Sequence, residues 1–218
     1  MAKKRGGVWK KLVKVRRSTR RLWRRHRRAV VAVSLFAGIL LLVGIYSLMT
    51  PPRINQQAYQ PLLNTIAAGE SKGNYDAYFG KPANTELKLT EMTVKQVMAW
   101  QETYVSAGSK SSAAGKYQII RPTLAGLVHE LEIDENLPFD AALQDRLAIA
   151  LIERRGSVDY ADQKISREQF AANLAKEWAA MPRVLGGNPD DSYYAGDGLN
   201  KARISVDEVY DALTPIKF

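Results

Sequence analysis

The chain has 218 residues, 46% of them apolar, enough for one globular domain with an appendage. Its formal net charge of +10 is unevenly spread: residues 1–28 hold fourteen Lys and Arg and no acid, whereas the remainder has 18 basic against 22 acidic residues. A body of net charge −4 is a poor nucleic-acid binder, and the absence of cysteine excludes disulfides, thiolate metal sites and a Cys nucleophile.

The first predicted element is a membrane span. Ala29 to Met49 is a run of 21 residues without a charge, relieved only by Ser34, Tyr46 and Ser47, and about 20 apolar residues cross a hydrocarbon core of roughly 30 Å. The run is too long for a cleavable signal and ends in Leu48-Met49-Thr50-Pro51-Pro52 without an Ala-x-Ala site, which predicts an uncleaved signal anchor. Fourteen cations before the span and Arg53 alone just after it predict a single-pass protein of the cytoplasmic membrane, N-terminus inside and the rest of the chain outside. The basic tail, with Trp9 and Trp23, is either a topology signal or a surface for anionic lipid headgroups. The expected organisation is a basic tail (1–28), a transmembrane anchor (29–49), a linker (50–60) and a domain (61–218).

Beyond the linker, short helices alternate with loops. Leu62, Leu63, Ile66 and Ala67 give Pro61 to Gly69 a helical spacing that delivers Glu70 near its C-terminal end. Thr93 with Gln96 forms a capping box ahead of Val94, Val97, Met98 and Gln101. Gly108 to Gly115 is a small-residue loop, and Pro122 suits the first turn of a helix with Leu124, Leu127, Val128 and Leu131. Asp140 is a good N-cap for a helix carrying Leu143, Leu147, Ala150 and Leu151, which stops at Gly156. Ser166 with Gln169 predicts a second capping box and a helix through Phe170, Leu174 and Trp178, closed by Pro182. Ser205 with Glu208 opens a last helix with Val206, Val209, Tyr210 and Leu213. The only β structure expected is a small hairpin between Tyr75 and Leu89, where Gly80, Pro82 and Asn84 supply turn chemistry. The fold class is mainly α, one α+β domain with that hairpin.

Little chemistry is open to such a chain. His26 lies in the basic tail and His129 stands alone on a helix, so no histidine metal motif exists. No Gly-x-Ser-x-Gly turn and no phosphate-cradling loop occur either. Carboxylate chemistry remains, the kind glycosidases use at a cleft. A glycosidic oxygen is a poor leaving group, and a carboxylic acid protonates it at neutral pH when a partly apolar cleft raises its pKa. Glu70, at the end of an apolar helix beside Gly69, Gly73 and Tyr75, is either such an acid or an ordinary exposed helix-end residue.

Four stretches decide between these. They are Ala67-Ala68-Gly69-Glu70-Ser71, Ser111-Ser112-Ala113-Ala114-Gly115-Lys116-Tyr117-Gln118, Leu143-Gln144-Asp145-Arg146-Leu147-Ala148, and Lys176-Glu177-Trp178-Ala179-Ala180-Met181-Pro182. In this order they resemble the phage lambda endolysin family, lytic transglycosylases of the lysozyme superfamily, over about Leu62 to Pro182. Two departures stand out: Lys116 occupies the family's Arg position, keeping the charge without the planar fork, and Met181 stands for Leu.

The resemblance implies a lysozyme-like fold, peptidoglycan glycan strands as substrate, and Glu70 as catalytic acid in a single-acid mechanism without metal or cofactor. It also marks Ser71, Lys116, Tyr117 and Gln118 as substrate-binding candidates, with Tyr194 and Asn200 added from the Tyr193 to Asn200 stretch as a cleft wall. Ser71 either orients Glu70 or caps the turn, and Tyr117 is either a sugar platform or core. Gln144 and Asp145 read as structural, and Trp178 as core. A hydrolytic lysozyme would need a second carboxylate, for which Asp76 and Glu102 are candidates. A reading of another class is an idle glycan-binding module tethering an envelope or secretion complex to the wall.

Overall fold

The computed structural model describes residues 54–216. The basic tail, the apolar run Ala29–Met49 and most of the linker lie outside the described residues, and with them the expected membrane anchor. Among the described residues no helix is long and apolar enough to cross a membrane.

Among the described residues, seven α-helices carry the fold: α1 (Gln60–Ser71), α2 (Val94–Ser106), α3 (Arg121–Glu130), α4 (Ala141–Arg154), α5 (Ser157–Ala161), α6 (Arg167–Leu174) and α7 (Val206–Leu213). Short 3₁₀ turns at Gln56–Tyr59 and Leu89–Glu91 precede α1 and α2. α1 is the hub. It packs against α7 and α4, while α2 packs on α3, and α6 lies against α5 and α7. Its Leu62, Leu63, Ile66 and Ala67 are all buried, as the helical spacing requires. Around them close Leu124 and Leu127 of α3, Leu147 and Leu151 of α4, Phe170 and Leu174 of α6, and Val209 and Leu213 of α7.

The helix starts follow the capping chemistry in the sequence. Thr93 and Ser205 form complete capping boxes with Gln96 and Glu208. Asp140 accepts from the Leu143 amide, and Pro122 lies in the first turn of α3. The Ser166 box is only half formed, because Ser166 accepts from the Gln169 amide while the Gln169 side chain donates to Asn173.

Two expectations need correction. The hairpin expected between Tyr75 and Leu89 is reduced to one antiparallel bridge, Tyr78 to Lys81, and the described residues contain isolated β-bridges but no strand. Asn84 and Asn74 hold that segment in turns instead: Asn84 Nδ2 donates to the Asp76 and Leu87 carbonyls, and Asn74 Nδ2 to those of Pro82 and Asn84. Side-chain amides thereby take carbonyls that a ladder would have used. The segment instead pairs with the small-residue loop, through Phe79 N to Ala113 O and Gly115 N to Ala77 O. Next, the helix expected to run through Trp178 stops at Leu174, and tight turns from Lys176 N to Asn173 O and Glu177 N to Leu174 O carry the chain onward. The helix expected to stop at Gly156 does end there, and α5 follows directly after that residue, whose left-handed backbone (φ 103°) ends one helix and starts another.

Candidate active site

The end of α1 decides where its last side chains point. Lys72 adopts the left-handed conformation (φ 57°), and its N–H together with that of Gly73 closes on the Ala67 carbonyl. Ser71 turns inward, fully buried, and donates to the Lys116 carbonyl at 2.7 Å. Successive helical side chains diverge by about 100°, so Glu70 faces a different side, the floor of a cleft of about 850 Å³. Gly69 allows the opposite wall to come this close: a Cβ there would lie 2.7 Å from Ile204 and 2.9 Å from Ala180.

That wall holds the Glu70 carboxyl. The Ala180 amide donates to Glu70 Oε1 at 3.0 Å, and the Ala180 carbonyl in turn accepts from the Arg203 and Ile204 amides at 2.8 and 3.2 Å. The peptide that carries this N–H is itself held, because its carbonyl, that of Ala179, accepts from Ser192 Oγ at 2.8 Å; a peptide group fixed at both ends is a preorganised donor. Burial pushes the Glu70 carboxyl above its ordinary pKa, opposed by the Ala180 hydrogen bond and by the charge of Arg203. The net shift is upward, toward the protonated form a general acid uses.

The cleft gathers most of the expected residues. Tyr117, Gln118, Tyr194 and Asn200 line it together with Glu70. Tyr117 serves as wall and core at once. Only 1% of its surface is exposed, and its hydroxyl donates to Asp145 at 2.6 Å. Burial, reinforced by that carboxylate, drives its hydroxyl pKa well above the ordinary tyrosine range. Gln118 is half-buried in a left-handed turn (φ 48°), its amide donating to the Gly115 carbonyl. Tyr194 donates to the Lys176 carbonyl, and Asn200 to Asp197.

Ser71 and Lys116 are not in the cleft, and their expected sugar contacts are corrected. Lys116 is 8% exposed, and its ammonium donates to the Tyr75 hydroxyl at 3.0 Å and lies 3.6 Å from Asp145. Gln144 completes this buried scaffold: its oxygen accepts from the Lys116 amide, and its nitrogen donates to the Tyr75 and Phe139 carbonyls. A Cβ at Gly115, itself left-handed, would collide with that Gln144 oxygen. Gln144 and Asp145 are thus structural. Trp178 is buried, and its indole N–H donates to the Tyr117 carbonyl.

The two carboxylates considered for a hydrolytic site are elsewhere. Asp76 accepts from the Thr90 amide, and Glu102 pairs with Arg121 on an exposed face; neither lines the cleft. The second carboxylate of the cleft is Glu177, unforeseen as a site residue although it sits within one of the four motifs. Its Oε2 accepts from Arg155 Nε and Nη2 at 2.9 and 2.6 Å, and its side chain is 9% exposed. Arg203 was also missed, since nothing in its neighbourhood signals that it returns to Glu70. Among the described residues no group of three His, Cys, Asp or Glu could hold a metal ion.

A helical domain with a buried carboxyl of raised pKa in a cleft is an arrangement suited to acid-catalysed glycan cleavage. Residues 60–195 match the Endolysin family, and the chain belongs to that family of peptidoglycan-cleaving enzymes. Bacteriophage lambda lysozyme, solved in complex with a chitohexasaccharide, is similar over 76% of this chain and 96% of its own length, with 19% identity and a TM-score of 0.46. No curated protein matches the chain.

Proposed function

We propose that the chain is a lytic transglycosylase that cleaves the β-1,4 bond between N-acetylmuramic acid and N-acetylglucosamine. The observation that carries the reading is Glu70: a carboxyl raised in pKa by burial, aimed into the cleft and fixed by the Ala180 amide. Glu70 gives its proton to the bridging oxygen as the C1–O bond breaks. The resulting carboxylate then takes the proton of the muramic acid C6 hydroxyl, and that oxygen closes on C1. The acid is regenerated and the product is a 1,6-anhydro end. The Ala180 N–H and the Arg203 charge favour the carboxylate that forms midway, so they lower the energy of the deprotonated stage without preventing the first transfer.

Hydrolysis would need a further free carboxylate to act as nucleophile or activate water. Glu177 is held by two Arg155 hydrogen bonds, and Asp76 and Glu102 face away, which favours the single-acid reading. The sequence supports a single-pass anchor in the cytoplasmic membrane, with this domain outside and the basic tail against anionic headgroups inside. So placed, the domain reaches wall near the membrane, a position suited to service of an envelope complex. Digestion of purified sacculi tests the chemistry: 1,6-anhydro-muramic products by mass spectrometry are expected. Reducing ends in their place would make the enzyme a hydrolase, and binding without release would make it an idle wall-binding module.

A further inference from the structure

The charges in the cleft run against those of the body around it. Lys72, Lys110, Arg155, Lys176 and Arg203 line the groove, against only Glu70 and Glu177. Outside the groove, residues 29–218 carry 13 cations against 20 acids. Of the five groove cations, Arg155 is taken up by Glu177. Burial shifts Glu70 toward its neutral form. Lys72, Lys110, Lys176 and Arg203 make no ion pair among the described residues. Asp197, just beyond the groove lining, spends its carboxylate on the Leu199 and Asn200 amides and the Asn200 side chain.

The four cations sit on separate pieces of the chain: Lys72 caps α1, Lys110 belongs to the small-residue loop, Lys176 follows α6, and Arg203 precedes α7. All four side chains line the same groove. Four unpaired cations focused in a concave groove of an otherwise acidic domain form a potential well for a polyanion. A neutral glycan gains nothing from it.

Resting on the proposed glycan-cleaving reading, we infer that Lys72, Lys110 and Lys176 are specificity-determining residues that select strands bearing free carboxylates. Those carboxylates come from one of two sources, the lactyl ether of muramic acid once its peptide is removed, or the stem peptide itself. Arg203 belongs to the same field, but it also donates to the Gly69 carbonyl beside the catalytic acid, so it is a poor probe of selection alone.

The experiment separates recognition from cleavage. Full-length chain carrying Glu70→Gln is titrated with fluorescently labelled strands, and binding is followed by anisotropy from about 20 to about 300 mM potassium chloride. Three strands are compared: peptide-stripped with free lactyl carboxylates, peptide-bearing, and stripped with the lactyl groups converted to neutral amides. At low salt at least one carboxylated strand binds about tenfold more tightly than the amidated strand, and salt erases the difference. Adding Lys72→Gln, Lys110→Gln and Lys176→Gln removes most of that preference, the basic tail being common to both proteins. The carboxylated strand that loses affinity identifies the source. Equal binding of all three strands, or a preference that survives loss of the lysines, overturns the inference whether or not the native chain cleaves. Failure of the native chain to release product from sacculi sinks the enzymatic reading alone.

Discussion

Replacing Tyr117 with Phe decides whether this side chain belongs to the substrate or to the scaffold. The substitution removes one hydroxyl and keeps the ring, so it tests only the 2.6 Å hydrogen bond to Asp145. A hydrogen bond to a charged group contributes about 1.5–3 kcal/mol to stability. Asp145 keeps the Tyr75 hydroxyl and the Lys116 ammonium after the change, and its side chain is 30% exposed, so the lower end applies, about 1.5–2 kcal/mol. For a domain of this size each kcal/mol shifts the melting temperature by roughly 2–4 °C, giving a fall of about 3–8 °C. Thermal unfolding followed by circular dichroism measures it, and turnover of soluble murein strands gives KM alongside. The expectation is a lower melting temperature with KM little changed. An unchanged melting temperature with a raised KM would refute the scaffold reading and return the Tyr117 hydroxyl to the sugar.

Glu70→Gln should lower turnover by about 10²–10⁴-fold, the usual contribution of a general acid, measured by product release from sacculi. It should also stabilise the protein at neutral pH. Burial lifts the folded-state pKa of Glu70 above its unfolded value, so ionisation costs stability; that cost is complete above the folded pKa and absent below the unfolded one. Calorimetry should therefore find the variant melting higher at pH 7, with the two curves converging as pH falls to about 4. Glu177→Gln should cost about 1–3 kcal/mol, because it strips the partner from a half-buried Arg155, yet leave 1,6-anhydro products; a loss of all product would give Glu177 a chemical role. Gly115→Ala forces a side chain into a left-handed position and against Gln144, at a cost of at least about 1–3 kcal/mol readable in the same thermal scans.

Much of the architecture was legible in the chain because its signals are local. A capping box is complete within four residues, and the 3.6-residue spacing of Leu62, Leu63, Ile66 and Ala67 identifies α1 and its buried face without reference to the rest of the fold. The motif around Glu70 singled out the carboxylate proposed as the acid for the same reason. Ser71 and Lys116 misled because motif adjacency says nothing of direction: one residue further along a helix turns a side chain by about 100°, from cleft to core. The hairpin failed where the Asn84 side chain outcompeted a ladder, a contest that strand propensity does not register.

Sequence by itself determined where the helices begin, which faces they bury, and that a carboxylate on α1 is the reactive group to examine. Tertiary structure alone decided what that carboxylate is. The Ala180 amide lies 110 residues away in the chain, Arg203 approaches from before α7, and Glu177 is neutralised by an arginine 22 residues earlier. Acidity depends on desolvation and on neighbouring charge, and both arise only when distant segments close over the same few ångströms.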